Sequence, residues 1–291
     1  VYAEGYNSGT GCASSTRTPV LLRINDIYGA GPGGVGNTNG KSEMSMWLNA
    51  SAVNQGVGSA VSTWSDVSGL GNNATQGTVA AQPTLQTQAS LNNQPVIRFD
   101  GGDILNTGNF LNSGQRGYYA ANSPNPYTCI AVSKYNGTNS RVISSTTHNW
   151  LMGQWGNYTD AVYAEGWITN NTGNGACSGC CGNGTDNNGH LYNLDGNRVY
   201  SRFYKENNLL HHNSCGIYSP GGYSLGGWGV NSGELSAADV AEVINYNLPL
   251  NEARRNIVAN YLAGKYSLAI TNDIYAGNDV GDCDFDIAGI G

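Results

Sequence analysis

Short apolar or alternating runs, each closed by Asn, Gly or Ser, follow one another from Ser45 to about Gly229. Side chains on a strand point alternately to two faces, so these runs read as strands. They are Ser45 to Leu48, Val61 to Trp64, Pro95 to Phe99, Tyr127 to Lys134, Arg141 to Ser145, Asn149 to Gln154, Ala161 to Ile168, Asn197 to Tyr204 and Tyr223 to Gly229. Ala241 to Tyr246 adds one more, ended by Pro249. One stretch changes period. Ala253, Ile257 and Tyr261, with Val258, Leu262 and Tyr266, recur every three or four residues, which predicts a helix over about Asn251 to Tyr266. Asn251 caps it and Glu252 sits at its positive end. The stripe fits a lid on one sheet. The pattern predicts an all-β fold, a two-sheet antiparallel jelly-roll sandwich with one C-terminal amphipathic helix. Trp47, Trp64 and Phe99 are its expected core residues.

The two ends of the chain read differently. Residues 1–28 alternate as a strand, a turn near Ser8 to Gly11, and a second strand running to Ile24. A hairpin alone cannot bury a core. Its strands therefore need a partner, either the missing strands of a preceding unit or the sheet edge of a neighbouring molecule. Gly29 to Lys41 is a Gly/Pro linker, and residues 42–270 hold the main domain. Residues 271–291 bring Asp273, Asp279, Asp282, Asp284 and Asp286, then IAGIG, and read as the start of a further strand-rich segment.

Composition narrows the function. Only 11% of the residues are charged, against about 25% in an average globular chain. With 39% hydrophobic and 10% aromatic residues the chain can bury a sizeable core. A net charge of −7 leaves no basic face to displace counterions, which argues against nucleic acid. No apolar run is long enough for a membrane span. Asn, Ser and Thr supply the polarity instead of ions, and uncharged strand edges suit self-association. Seven cysteines, three of them (Cys177, Cys180, Cys181) close together in a Gly/Asn-rich loop, point to an oxidising, extracellular compartment. A zinc reading of that cluster wants a second ligand pair, and neither His211-His212 nor Cys215 forms one.

Several phrases occur in an order that resembles one family. They are MWLNAS at Met46 to Ser51, WSDVSGLGNNATQ at Trp64 to Gln76, QPTL at Gln82 to Leu85, NNQPVIRFDGGDIL at Asn92 to Leu105, and AEVINYNLPLNEARRNIVANYLAGKYSL at Ala241 to Leu268. Together they look like a laminin-G-like, concanavalin-A-type jelly roll of large type IX-secreted bacterial surface proteins. Tyr2 to Gly5, Gly11-Cys12 and Ser15 to Val20 resemble the last strands of an immunoglobulin-like repeat. In such repeats the cysteine pairs with one on an early strand, so the resemblance leaves Cys12 without a partner here. Cys129, Cys177, Cys180, Cys181, Cys215 and Cys283 are then expected to form three disulfides. Adjacent Cys180 and Cys181 would bridge to different partners. The resemblance also implies export, adhesion, and a Ca²⁺ at the sandwich edge. Asp66, Asn72, Asp100 and Asp103 are its candidate ligands, the alternative being that Asp66 and Asp100 only brace their own turns.

β-Sandwich glucanases place Glu, Asp, Glu at alternate positions of one strand, and no such triplet exists; Glu242 has Ile244 two residues on. G-x-S-x-G is absent, and SGLGNN lacks the Lys and helix of a phosphate loop. The chain therefore reads as non-catalytic. Sugar recognition uses aromatic faces beside amides and carboxylates. Trp155, Tyr158, Asn157 and Asp160, with Trp167 nearby, have that composition, while a sandwich also needs inward aromatics. The expected partner is a glycan or surface polymer, with a structural subunit of a filament as the alternative.

Overall fold

The computed structural model describes residues 30–111, 126–137, 140–168, 184, 186–197, 200–212, 214, 216, 218–229 and 233–273, and the backbone of 2–3, 6–7, 12–13, 18–19, 114–115 and 213. Two antiparallel sheets face each other. In the seven-stranded sheet the order is Tyr158–Ala164, Trp150–Trp155, Ile143–Ser145, Tyr223–Leu225, Leu105–Thr107, Ala74–Thr75, Thr63–Trp64. The eight-stranded sheet runs Asn208–Asn213, Ser201–Lys205, His190–Gly196, Tyr127–Tyr135, Ala237–Tyr246, Gln94–Asp100, Thr84–Gln88, with Met44–Asn49 also on Ala237–Tyr246. The long Ala237–Tyr246 strand carries Gln94–Asp100 along its first half and Met44–Asn49 along its second. This is the expected two-sheet sandwich.

Alternation explains both layers. Inward residues such as Trp64, Phe99, Trp150, Met152 and Tyr223 fill the space between the sheets. Trp150 Nε1 donates to Tyr127 Oη at 2.9 Å and Tyr223 Oη to Asn245 Oδ1 at 2.6 Å, so these two buried polar tips are satisfied. The outward face of the eight-stranded sheet forms a second core with the helix Glu252–Tyr266, through Ile130, Ile244, Val258 and Leu262. Asn251 Oδ1 accepts from Arg254 N at 2.9 Å, the expected cap. The lid is fixed by one carboxylate. A register shift opposite Val132 and Ser133 turns both Ala241 and Glu242 toward the helix, while Val240 and Val243 stay in the inner core. Glu242 is fully buried and accepts from Trp47 Nε1 at 2.8 Å, from Tyr266 Oη at 3.0 Å and from Lys265 Nζ. It is a structural tie.

Cys129 corrects the disulfide expectation. It is a free thiol on the central Tyr127–Tyr135 strand, facing the inter-sheet core. Burial pushes its pKa up to about 12. A strand centre packed on both sides leaves no room for a bridge from a surface loop, so Cys129 behaves as a small hydrophobe. Cys177, Cys180, Cys181, Cys215 and Cys283, and the Cys12 side chain, lie outside the described residues. In the first segment Tyr2–Ala3 pairs with Thr18–Pro19 and Tyr6–Asn7 with Cys12–Ala13, the nested registers of a hairpin. Leu21 to Asn25, expected to seek a partner strand, are not among the described residues. Among the described residues no helix is long and apolar enough to cross a membrane.

Candidate functional site

Trp150–Trp155 and Tyr158–Ala164 form the edge hairpin of the seven-stranded sheet. Its two-residue turn has φ 57° at Gly156 and 70° at Asn157. Both are left-handed, the I′ geometry that matches strand twist and that Gly and Asn tolerate best. Trp155 and Tyr158 therefore stand directly opposite each other and share a face. That face is the outer one. Trp150 and Met152 point into the core and Gln154 Oε1 accepts from Ser133 Oγ of the other sheet at 2.8 Å, so Trp155, the next residue after Gln154, points away from it. Tyr158 is 39% exposed, while Trp155 is half-buried.

Asp160 does not join them. Gly153 pairs with Ala161 and Gln154 with Thr159, which makes Asp160, at φ 67°, the inserted residue of a bulge. It is turned inward, 2% exposed, with Lys205 Nζ 3.0 Å from Oδ1. Gly153 makes room for this arrangement. A Cβ there would lie 2.5 Å from the Tyr192 ring, and its φ of 91° suits glycine. Asn157 is exposed at the hairpin tip.

Around Trp155 the outer face gathers Trp167, grouped with it in the sequence, and Tyr163, Glu234, Arg141 and Trp228, which the sequence did not single out. Trp155 packs on Trp167 with ring centroids 5.3 Å apart, and Trp167 meets Tyr163 edge-on at 5.0 Å. Trp155 Nε1 donates to Glu234 Oε2 at 3.2 Å, and the same oxygen accepts from Arg141 Nε. Arg141 is 4% exposed, with its guanidinium carbon 4.2 Å from the centre of the Trp228 ring. Burial lowers its pKa, opposed by Glu234 and by the nearby Tyr163 and Glu165. Glu165 Oε1 accepts from Asn149 N at 2.8 Å. Glu234 is held by its loop: Arg141 N donates to Glu234 O at 3.1 Å, and Ser144 Oγ to Gly227 O at 2.5 Å. The outcome is a half-buried aromatic cluster beside a pinned, partly exposed carboxylate.

The four calcium candidates fall into two separate loops. Asp66 Oδ1 accepts from Trp47 N and Ser68 N, and Oδ2 from Ser68 Oγ and Asn72 N, all within 2.8–2.9 Å. Asn72 Nδ2 donates to Ser45 O at 2.7 Å. Asp100 Oδ1 accepts from Gly102 N at 2.7 Å, and Asp103 Oδ2 from Asp100 N at 3.0 Å. Burial raises the Asp103 pKa, with the Asp100 charge adding to it. These carboxylates brace turns. Asp66 has spent its lone pairs on its own loop, and among the described residues no three His, Cys, Asp or Glu side chains converge as metal ligands. The donor set does not fit a Ca²⁺.

No family model matches the sequence, and no curated protein does. Among solved structures the chain is similar to domain 4 of AbnA, a GH43 extracellular arabinanase from Geobacillus stearothermophilus in complex with arabinotriose: 11% identity, TM-score 0.47, 75% of this chain and 98% of that one. It is similar to the binding domain of Paraclostridial Mosquitocidal Protein 1 at 11% identity and TM-score 0.47, over 75% of this chain and 52% of that one. A Trypanosoma rangeli sialidase matches at 12% identity and TM-score 0.40, over 76% of this chain. The chain spans only 33% of the sialidase's length. Likeness at this level assigns neither a family nor an activity.

Proposed function

We propose that this chain is a non-catalytic binding module of an extracellular surface protein, holding a glycan or a similar hydroxyl-rich polymer on the outer face of the seven-stranded sheet. One observation carries the reading. The I′ turn sets Trp155 and Tyr158 side by side on the face away from the helix-covered sheet, and Glu234 pins the Trp155 indole. A sugar ring stacks on such a face while amides and carboxylates take its hydroxyls. Adhesion is the role this binding would serve in a secreted protein. Catalysis finds little footing at Glu242, because Trp47, Lys265 and Tyr266 occupy a carboxylate that is fully buried.

The test is a glycan array followed by calorimetry on the full chain. Trp155→Ala and Tyr158→Ala are expected to weaken any glycan found by about tenfold or more, the scale of a buried aromatic anchor. Leu209→Ala, at an exposed position on the Asn208–Asn213 edge strand of the other sheet, is expected to leave it unchanged. Binding that survives both hairpin changes intact would place the site elsewhere.

A further inference from the structure

Among the described residues, Glu234 is the carboxylate fixed directly against the aromatic cluster, through Trp155 Nε1. Both its contacts, to Arg141 Nε and Trp155 Nε1, fall on Oε2, and its side chain is 38% exposed. A carboxylate has about four lone-pair sites. Glu234 therefore keeps acceptor capacity open to solvent at the rim of the Trp155 indole, in an orientation set by two donors. Such a pre-oriented acceptor is matched to a sugar hydroxyl, which can donate one hydrogen bond there while its ring lies on the aromatic face. Its charge has the opposite effect on anions. Glu165 also lies in the field of Arg141, so two carboxylates stand against one guanidinium, and that guanidinium is almost wholly buried and already engaged. The chain as a whole carries −7. An acidic sugar brought to this face meets net repulsion from the two carboxylates, and the Arg141 guanidinium beside them is too deeply buried to answer it.

Resting on the reading of this face as a glycan site, we propose that it selects neutral sugars, with Glu234 as the hydroxyl acceptor and as the group that rejects uronic, sialylated and sulfated glycans. The selectivity is electrostatic, so it weakens with salt.

The probe is an array carrying neutral, uronic-acid, sialylated and sulfated oligosaccharides of matched length, read at low and high ionic strength. Neutral glycans are expected to bind at least about tenfold more tightly than their acidic counterparts at low salt, and the gap to narrow at high salt. Glu234→Gln keeps an acceptor and removes the charge, so it should narrow the gap by letting acidic glycans bind. Glu234→Ala removes both and should weaken neutral glycans as well. Glu165→Gln is a second, independent probe, because it lowers the same negative field without touching Trp155. Acidic glycans bound as tightly as neutral ones, or a neutral preference unmoved by both Glu→Gln changes, would overturn the selectivity while leaving the glycan reading standing. Binding of no glycan of any class would remove both.

Discussion

Removing the Glu242 carboxylate is expected to destabilise the domain far more than a change at an exposed strand position. Glu242 takes three donors beneath the helix, from the Trp47 indole, the Tyr266 hydroxyl and the Lys265 ammonium, and is fully buried. Glu242→Ala strands the two neutral donors and leaves the Lys265 ammonium without its counter-charge, held only by Asn49 Oδ1 at 3.1 Å. Two are neutral donors and one is a cation whose side chain is only 16% exposed. Deleting one partner of a buried ion pair costs about 3–5 kcal/mol, most of it the cost of the charge left behind. For a unit of this size each kcal/mol moves Tm by about 2–4 °C, so a fall of roughly 6–20 °C is expected. Glu242→Gln keeps the shape and should cost less, about 1.5–3 kcal/mol, the worth of hydrogen bonds to a charged group. Urea unfolding followed by tryptophan fluorescence reads the change. A second mutation, Lys265→Met, removes the stranded cation. Glu242→Ala combined with it should cost less than the sum of the two single changes by about 1 kcal/mol or more. Additive losses, or a Glu242→Ala cost under about 1 kcal/mol, would refute the tie.

Four further outcomes are expected. His190 Nδ1 lies 2.8 Å from Glu206 Oε1 and Nε2 2.8 Å from Asp186 Oδ1; burial opposes its charge and Lys205 repels it, yet the two carboxylates raise its pKa above 6.5. The stabilisation it gives is therefore complete below the unfolded value and is lost as pH rises through the raised one. The Tm advantage over His190→Gln should be largest in mild acid and shrink on the alkaline side; a pH-independent difference would contradict it. Gly153→Ala meets the Tyr192 ring in a left-handed backbone and should cost at least about 2 kcal/mol in urea unfolding. Cys129 should resist alkylation in the native protein and react after unfolding, as read by mass spectrometry of its peptide. Adding CaCl₂ or EDTA should leave Tm within about 1 °C, since the Asp66 carboxylate serves its own loop.

The fold was legible because burial imposes a period. Trp150, Met152, Val162 and Ala164 lie in the inter-sheet core at alternate positions, and Val258, Leu262 and Tyr266 fall on one side of a helix, so local pattern and tertiary packing agree. Five strands of the two sheets escaped, Ala74–Thr75 because two residues show no period and the others for reasons of composition, length or register. Thr84–Gln88 reads TLQTQ, with Leu85 as its only apolar residue, and His190–Gly196 carries Asn193, Asp195 and Gly196, residues that ordinarily mark turns. Leu105–Thr107 is too short to show alternation, and the register shift that inserts Leu210 in Asn208–Asn213 breaks it. In each case neighbouring strands supply the pairing that the segment's own sequence does not advertise.

The site was legible only in part, and the division has a physical cause. Trp155 and Tyr158 stand out in the sequence by composition, as aromatics beside an amide and a carboxylate; the Gly-Asn pair between them, which closes the tight hairpin that sets them opposite each other, was the signal left unused. Asp160 looked equally suitable three residues from the turn. Its direction depends on a bulge, and the bulge depends on the Tyr192 ring, which arrives from the other sheet and fills the space where a Gly153 side chain would stand. Nothing local to Asp160 encodes that. Glu234 is the opposite case: it comes from an irregular loop and matters only because Arg141 and Trp155, distant in sequence, meet it on the same face. In a chain this poor in charge, a carboxylate held by a buried arginine is costly unless its geometry is well satisfied. Its position is set by the fold, and its use is therefore best tested by changing its charge while keeping its shape.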